Sequence, residues 1–289
     1  LYGQVNDDFQ DGDFNQNPVW TGSDAFFTVV DDGGDQRLRS NSPGAATYAL
    51  STPSTLANNT RWQWYMDLRF ATSGANYVDV YLIADNADLT AAQNGWFVRV
   101  GGTQDRVELF KKEAGTNTSV VVSADGIVNS STSNPFVIRA ERTTANDWTL
   151  QYDDGNTGTF TVAGSANDGA VNASTHFGLL VVQSSAASAV NNHFFDDISV
   201  GGIPVDLTAP SVISVSATSA TNVDVRYDEP LAPLAIGTYD IIPFIGVTTA
   251  VLDGADPTLV HVTPASALVS GNTYSLLSEN AEDAAGNSS

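Results

Sequence analysis

The sequence predicts a two-domain, all-β protein, and three observations predict it. Helical periodicity is almost absent from the 289 residues, so amphipathic helices are not expected. Short runs rich in Val, Ile, Tyr, Phe, Trp and Thr recur between clusters of Gly, Asn, Asp and Ser, which is the pattern of sandwich strands and their turns. From Gly201 to Pro210 the chain reads Gly-Gly-Ile-Pro-Val-Asp-Leu-Thr-Ala-Pro, a stiff linker into a new strand series. The domains are therefore placed at residues 1–203 and 204–289.

Ten strands are expected in the first domain: 61–70, 77–84, 96–100, 106–111, 118–123, 136–141, 148–152, 159–162, 176–182 and 193–200. Six follow in the second, at 212–217, 222–227, 238–241, 247–252, 259–263 and 273–278. About 80 residues with that many strands fit an Ig-like sandwich. The opening Leu1-Tyr2-Gly3-Gln4 is too short to be a signal peptide but is compatible with the tail of one, and a longer natural chain is expected.

Composition limits the function. Thirty-three acids against 11 Lys and Arg give a formal net charge of −22, which repels nucleic-acid phosphates and anionic membranes. Nucleic acid is therefore not an expected partner. No stretch approaches the ~18 apolar residues of a membrane span, so no insertion is expected. The acids are mostly Asp, which favours turns and supplies hard oxygen ligands, so a calcium-containing or saline exterior is the natural setting. The chain has no cysteine, excluding disulfides, thiol catalysis and cysteine-ligated zinc.

Alternation within strands assigns faces. Trp62, Trp64, Met66, Leu68 and Phe70 share one side and are expected in the core. Tyr65, Asp67 and Arg69 then lie on the other side, and the next strand repeats the scheme with Val78, Val80 and Leu82 inward and Tyr77, Asp79 and Tyr81 outward. If these consecutive strands are neighbours, Tyr65, Asp67, Arg69, Tyr77, Asp79 and Tyr81 form one mixed aromatic and charged face, which Phe97 and Arg99 extend from the following strand. Rings to stack on a sugar, with carboxylates and guanidinia for its hydroxyls, suit a polysaccharide or surface glycan. The same residues also read as ordinary cross-strand pairs on a solvated sheet.

Near the chain start Val5, Asp7 and Phe9 alternate inward, and near the end of the first domain Phe194, Asp196, Ile198 and Val200 do the same. Each strand thus turns an acid toward the core, where an ionised carboxylate needs a partner. Pairing of first and last strands would gather Asp7, Asp8, Asp196 and Asp197, and either a structural calcium ion or loop amides would then satisfy them.

Catalytic patterns are missing. There is no Gly-x-Ser-x-Gly elbow, His-Glu-x-x-His or phosphate-cradling loop. The first domain has only three glutamates, Glu108, Glu113 and Glu141, none paired at close spacing on a strand as a glycosidase would need. No enzyme is expected; a glycan-degrading enzyme with loop-borne acids is the outlying alternative.

The order Asp8-Phe9-x-Asp11-Gly12-Asp13-Phe14-x-x-Asn17-Pro18-x-Trp20, Trp62-x-Trp64, Tyr81 to Leu89, Asn94 to Gly101 and Phe194-Phe195-Asp196-Asp197-Ile198 resembles the N-terminal domain of large secreted Bacteroidetes surface proteins. Such proteins often carry lamin-tail and Ig-like domains and a type IX sorting signal. The resemblance implies a concanavalin A-like, laminin-G-like jelly-roll β-sandwich over about residues 5–201. Its Phe-Asp-Asp-Ile resembles the last strand of jelly-roll carbohydrate-binding modules, where an acid often helps hold calcium. From Ala209 on, Ala209-Pro210, Tyr227-Asp228-Glu229-Pro230-Leu231, Tyr239, Tyr274 and Asp283-Ala284-Ala285-Gly286-Asn287 resemble the bacterial Ig-like domain of S-layer and adhesin proteins. Together these imply a noncatalytic, secreted or cell-surface segment for adhesion or glycan binding with an Ig-like spacer. The alternative is a purely architectural role in a large surface protein.

Overall fold

The computed structural model describes residues 4–243 and 245–289; the Leu1-Tyr2-Gly3 start lies outside the described residues. The chain divides into two compact units, one ending at Pro204 and one starting at Val205.

In the first unit the strands run β1 (Val5–Asp7), β2 (Thr21–Gly22), β3 (Phe27–Asp31), β4 (Gln36–Ser40) and β5 (Ala46–Pro53). Then come β6 (Thr60–Leu68), β7 (Tyr77–Ala84), β8 (Gly95–Gly101), β9 (Arg106–Glu113) and β10 (Thr116–Val122). The last five are β11 (Pro135–Arg142), β12 (Asp147–Asp154), β13 (Thr161–Asn167), β14 (His176–Gln183) and β15 (His193–Gly202). Sheet A has the order β13-β12-β11-β6-β15-β4-β3, with β1 also on β15; sheet B is β10-β9-β8-β7-β14-β5-β2. All pairings are antiparallel.

The core lies between the sheets, and the alternation that predicted it holds. Trp62, Trp64, Met66, Leu68 and Phe70 come from the β6 stretch, with Val78, Val80 and Leu82 from β7. Three indoles cross the gap between sheets: Trp148 stacks on Trp62 at 5.7 Å and meets Trp96 at 4.5 Å. Aromatic pairs of this kind add about 0.5–1.5 kcal/mol each beyond their buried area. Beside them Arg142 is fully buried and donates to four backbone carbonyls, those of Ala57, Asp168, Ala170 and Val171, and to Asn146 Oδ1. Five oxygens thus surround a guanidinium that has no carboxylate partner among the described residues.

One predicted alternation fails. Before Asp196 the core residue of β15 is Phe195, and after Asp197 the core residues are Ile198 and Val200. The pairing with β6 slips between Asp196 and Ser199, and Asp197 has φ +48°. This β-bulge inserts one residue and reverses the phase. Phe194 and Asp196 therefore lie on the outer side of sheet A, opposite the face that period-two counting gives them.

The second unit has the order β16-β17-β20-β19 in one sheet and β18-β21 in another. The strands are β16 (Val212–Ser219), β17 (Asn222–Tyr227), β18 (Leu231–Ile242), β19 (Val247–Leu252), β20 (Leu259–Pro264) and β21 (Ser275–Asp283). Its core is small: Val223, Val225, Tyr227, Leu231, Tyr239, Ile241, Val260, Val262 and Ala281. The hydroxyls of Tyr227 and Tyr239 bond each other at 2.9 Å inside it.

Candidate ligand-binding face

The single face expected across β6 and β7 does not exist. Strand β6 pairs with β11 and β15 in sheet A, whereas β7 pairs with β8 and β14 in sheet B. The chain crosses from one sheet to the other between them, so Tyr65, Asp67 and Arg69 lie on a different sheet from Tyr77, Asp79, Tyr81 and Arg99.

The sheet A group is occupied by its own contacts. Tyr65 is only 6% exposed, under the Arg37 guanidinium at 4.6 Å from its ring. Asp67 is buried and accepts from Ser133 Oγ, Asn134 N and Arg69 Nε. Arg69 reaches on to Asp32 and lies 3.9 Å over the Phe194 ring. These residues tie the β3–β4 hairpin to the sheet.

The sheet B group is equally buried, but its half-buried Tyr77 and Arg99 border a hollow. Arg99 donates to Asp79 through Nε at 2.7 Å and Nη2 at 2.8 Å, a two-pronged pair. Asp79 is buried, and desolvation pushes its carboxyl above the usual range against the pull of Arg99. The guanidinium lies 4.1 Å from the Tyr77 ring and 5.2 Å from that of Phe110. Tyr81 departs from expectation: it is 2% exposed, its hydroxyl receives Lys112 Nζ at 3.2 Å, and burial pushes its phenol up. The cover comes from the β7–β8 loop, which folds back so that Leu89 packs with Tyr81, Phe97, Ala49 and Leu180. Gly178 permits this, because a Cβ there would stand 2.7 Å from Leu89 Cδ1.

The covering loop leaves a hollow at each end of the face. One, of about 460 Å³, is lined by Thr21, Ser23, Thr47, Asp88 and Thr90 and contains no ring. The other, of about 250 Å³, brings together Tyr77, Phe110, Arg99, Arg106 and Glu108, with Thr103 and Gln104 from the β8–β9 turn. Gly101 and Gly102 make that turn at φ +90° and +84°; at Gly101 a Cβ would meet the Thr72 side chain at 2.6 Å. Arg106 donates to Glu108 at 2.9 Å and to Asp125 at 3.1 Å.

Arg106, Glu108 and Phe110 line this hollow but are not among the residues expected on the face, although their signal is in the sequence. Val107 and Leu109 point into the core, so their alternate neighbours must face outward beside Arg99. The three glutamates are dispersed: Glu108 is in this hollow, Glu113 is exposed at the end of β9, and Glu141 pairs with Arg61 on sheet A.

Neither protein-family profiles nor curated proteins give a match to the chain. Solved structures do. The metal-free carbohydrate recognition domain of Emp46p is 11% identical with a TM-score of 0.50, covering 69% of this chain and 95% of that one. Its potassium-bound form is 10% identical at 0.48, covering 69% and 96%. The carbohydrate-binding module CBM66 from Bacillus subtilis is 16% identical at 0.42, covering 63% and 94%. The fold is a lectin-like jelly roll. At these identities the likeness concerns fold alone.

In the jelly roll the four acids expected to share a metal are not gathered into one ligand set. Strand β1 does pair with β15, setting Asp7 opposite Ile198. The Asp7 carboxylate, however, accepts from Trp20 Nε1 at 2.8 Å and Phe9 N at 2.9 Å, and burial lifts its pKa to about 6. The bulge puts Asp196 on the outer face, where burial lifts it to about 7 and Arg37 stands 3.5 Å away. Asp197 and Asp8 are exposed at its side. No three of these four acids bring oxygens within 4.8 Å among the described residues; the group that does is Asp206, Glu229 and Asp283 in the second unit. There Asp283 already accepts from Ala285 N, Asn287 N and Asn287 Nδ2.

Proposed function

We propose that this chain is a noncatalytic segment of a secreted or cell-surface protein, and that its jelly roll binds a glycan in the hollow between Tyr77 and Phe110. The carrying observation is chemical. Two half-buried rings and a mixed set of donors and acceptors converge on one solvent-open hollow of a sheet face. Sugars are held by that combination, an apolar ring face on an aromatic and hydroxyls on planar polar groups. The carbohydrate recognition domain that shares the fold supports the reading. The second unit, with its two sheets and small core, is an Ig-like spacer in this reading, and the residue order given above supports a Bacteroidetes-type surface protein.

Glycan-array binding of the whole chain tests it. Binding is expected, and Tyr77→Ala or Phe110→Ala should each weaken it about tenfold, about 1.4 kcal/mol. Absence of binding to every glycan would leave the purely architectural role, which the dense ion pairing of the sheet A face also suits.

A further inference from the structure

We infer that the Tyr77–Phe110 hollow selects an uncharged sugar residue, at a chain end or branch, over uronate-bearing, sialylated or sulfated glycans; this rests on the glycan-binding reading above. Both cations lining the hollow are already committed. Arg99 gives Nε and Nη2 to Asp79, and Arg106 gives Nε and Nη2 to Glu108 and Nη1 to Asp125. A carboxylate or sulfate is best held by a free guanidinium fork, and neither fork is free. Taking Arg99 from Asp79 would strand a buried acid, which costs more than an exposed contact returns. The other nearby cation, Lys112, is directed at the Tyr81 hydroxyl and does not line the hollow. At longer range the net charge of −22 repels anions from the whole chain.

The groups left over suit hydroxyls. Among the described residues Arg99 Nη1, Glu108 Oε1, the Thr103 hydroxyl and the Gln104 side-chain amide carry no hydrogen bond. That set mixes donors and acceptors, as does a sugar hydroxyl, whereas an anionic group only accepts. Size gives the position in the glycan. About 250 Å³ lies below the ~300 Å³ at which pockets begin to enclose drug-sized ligands. On the side of the second hollow, the Leu89 loop covers the middle of the face, so a long chain has no continuous trough.

The test is titration of the whole chain with neutral oligosaccharides and with uronate-bearing and sulfated ones of matched length, in ~0.05 M and ~0.5 M salt. Neutral ligands should bind, with affinity changing less than about twofold between the two salts. Glu108→Gln should leave Arg106 without the carboxylate that neutralises it in the hollow and raise affinity for the uronate series at least about tenfold at low salt. Wild-type binding of anionic ligands as tight as of neutral ones, weakening with salt, would overturn the inference while leaving glycan binding intact. No binding in either series would remove the glycan reading and this inference together.

Discussion

Arg99 is predicted to hold the outer face of sheet B together through Asp79, and Arg99→Met isolates that role. The substitution keeps an unbranched chain beside Tyr77 but removes two hydrogen bonds of 2.7 and 2.8 Å from a carboxylate whose residue is 5% exposed. Breaking a buried pair by deleting one partner costs about 3–5 kcal/mol, because the remaining charge is left without compensation. In a unit of this size each kcal/mol lowers the midpoint by about 2–4 °C, so the first unit should melt about 6–20 °C lower at neutral pH. The pH dependence identifies the cause. Asp79 already has its folded pKa raised by desolvation, and loss of Arg99 raises it further. A raised acid pKa means the folded state binds the proton more tightly, so the deficit should shrink as pH falls and grow as pH rises through the folded value. Calorimetric melts from acid to neutral pH measure this. The double substitution Asp79→Asn with Arg99→Met should recover most of the loss, since no charge is then stranded. A single variant that melts like the wild type at neutral pH, or a double variant no more stable than the single one, would refute the argument.

Further expectations follow from the same structure. Arg142→Ala orphans five oxygen acceptors beside the tryptophan stack and should destabilise by at least about 4 kcal/mol, lowering the midpoint by more than about 8 °C; urea unfolding followed by tryptophan fluorescence would show it. Asp196, lifted to about 7, and Asp7, lifted to about 6, destabilise the fold progressively as pH climbs from about 4 to about 7. Asp196→Asn should therefore gain stability at pH about 8 and little at pH about 4, as read by melting midpoints. In the second unit His261 lies between Asp224 at 2.7 Å and Asp253 at 3.0 Å, and the Asp224 bond is the first cause of its raised pKa. Its stabilisation is fully present below the ordinary pKa near 6.5 and is lost as pH rises through the folded value; His261→Gln should flatten that dependence. Glycan affinity should be unchanged by a chelator, because the acids at the Tyr77–Phe110 hollow are paired to arginines.

What the sequence made legible follows from which interactions are local. The β6 and β7 cores could be assigned because pleating needs only neighbouring residues, and Trp62, Trp64, Val78 and Val80 lie where alternation puts them. The hairpin β3–β4 was also legible in Phe27-Thr28-Val29-Val30 followed by Asp31-Asp32-Gly33-Gly34-Asp35, with both glycines at positive φ, yet neither strand was expected. Adjacency of β6 and β7 was not legible. Consecutive strands pair in most cases but a jelly roll sends some of them across the sandwich, and alternation is the same in either arrangement. The bulge at Asp196–Ser199 was equally hidden, since one inserted residue changes every later face without changing composition.

That last effect explains why Asp196 is not gathered with Asp7 into a shared interior set. A bulged β15 carries Asp196 outward to Arg37, and Arg37 and Arg69 together pair with the acids of the β3–β4 hairpin. On sheet B the strands β8 and β9 pair without a break from Gly95 to Arg106, and that regular register sets Arg99 opposite Glu108 and Phe97 opposite Phe110. Cross-strand pairing of unlike charges neutralises the face locally while the chain as a whole stays strongly acidic. In the proposed reading, solubility and recognition are served by different charges: exposed loop aspartates supply the long-range field, and at the hollow both arginines are paired with carboxylates. Neutralising the loop acids should weaken the salt-dependent exclusion of anionic glycans with little effect on neutral ones, whereas Glu108→Gln should raise affinity for the uronate series even with the loop acids intact.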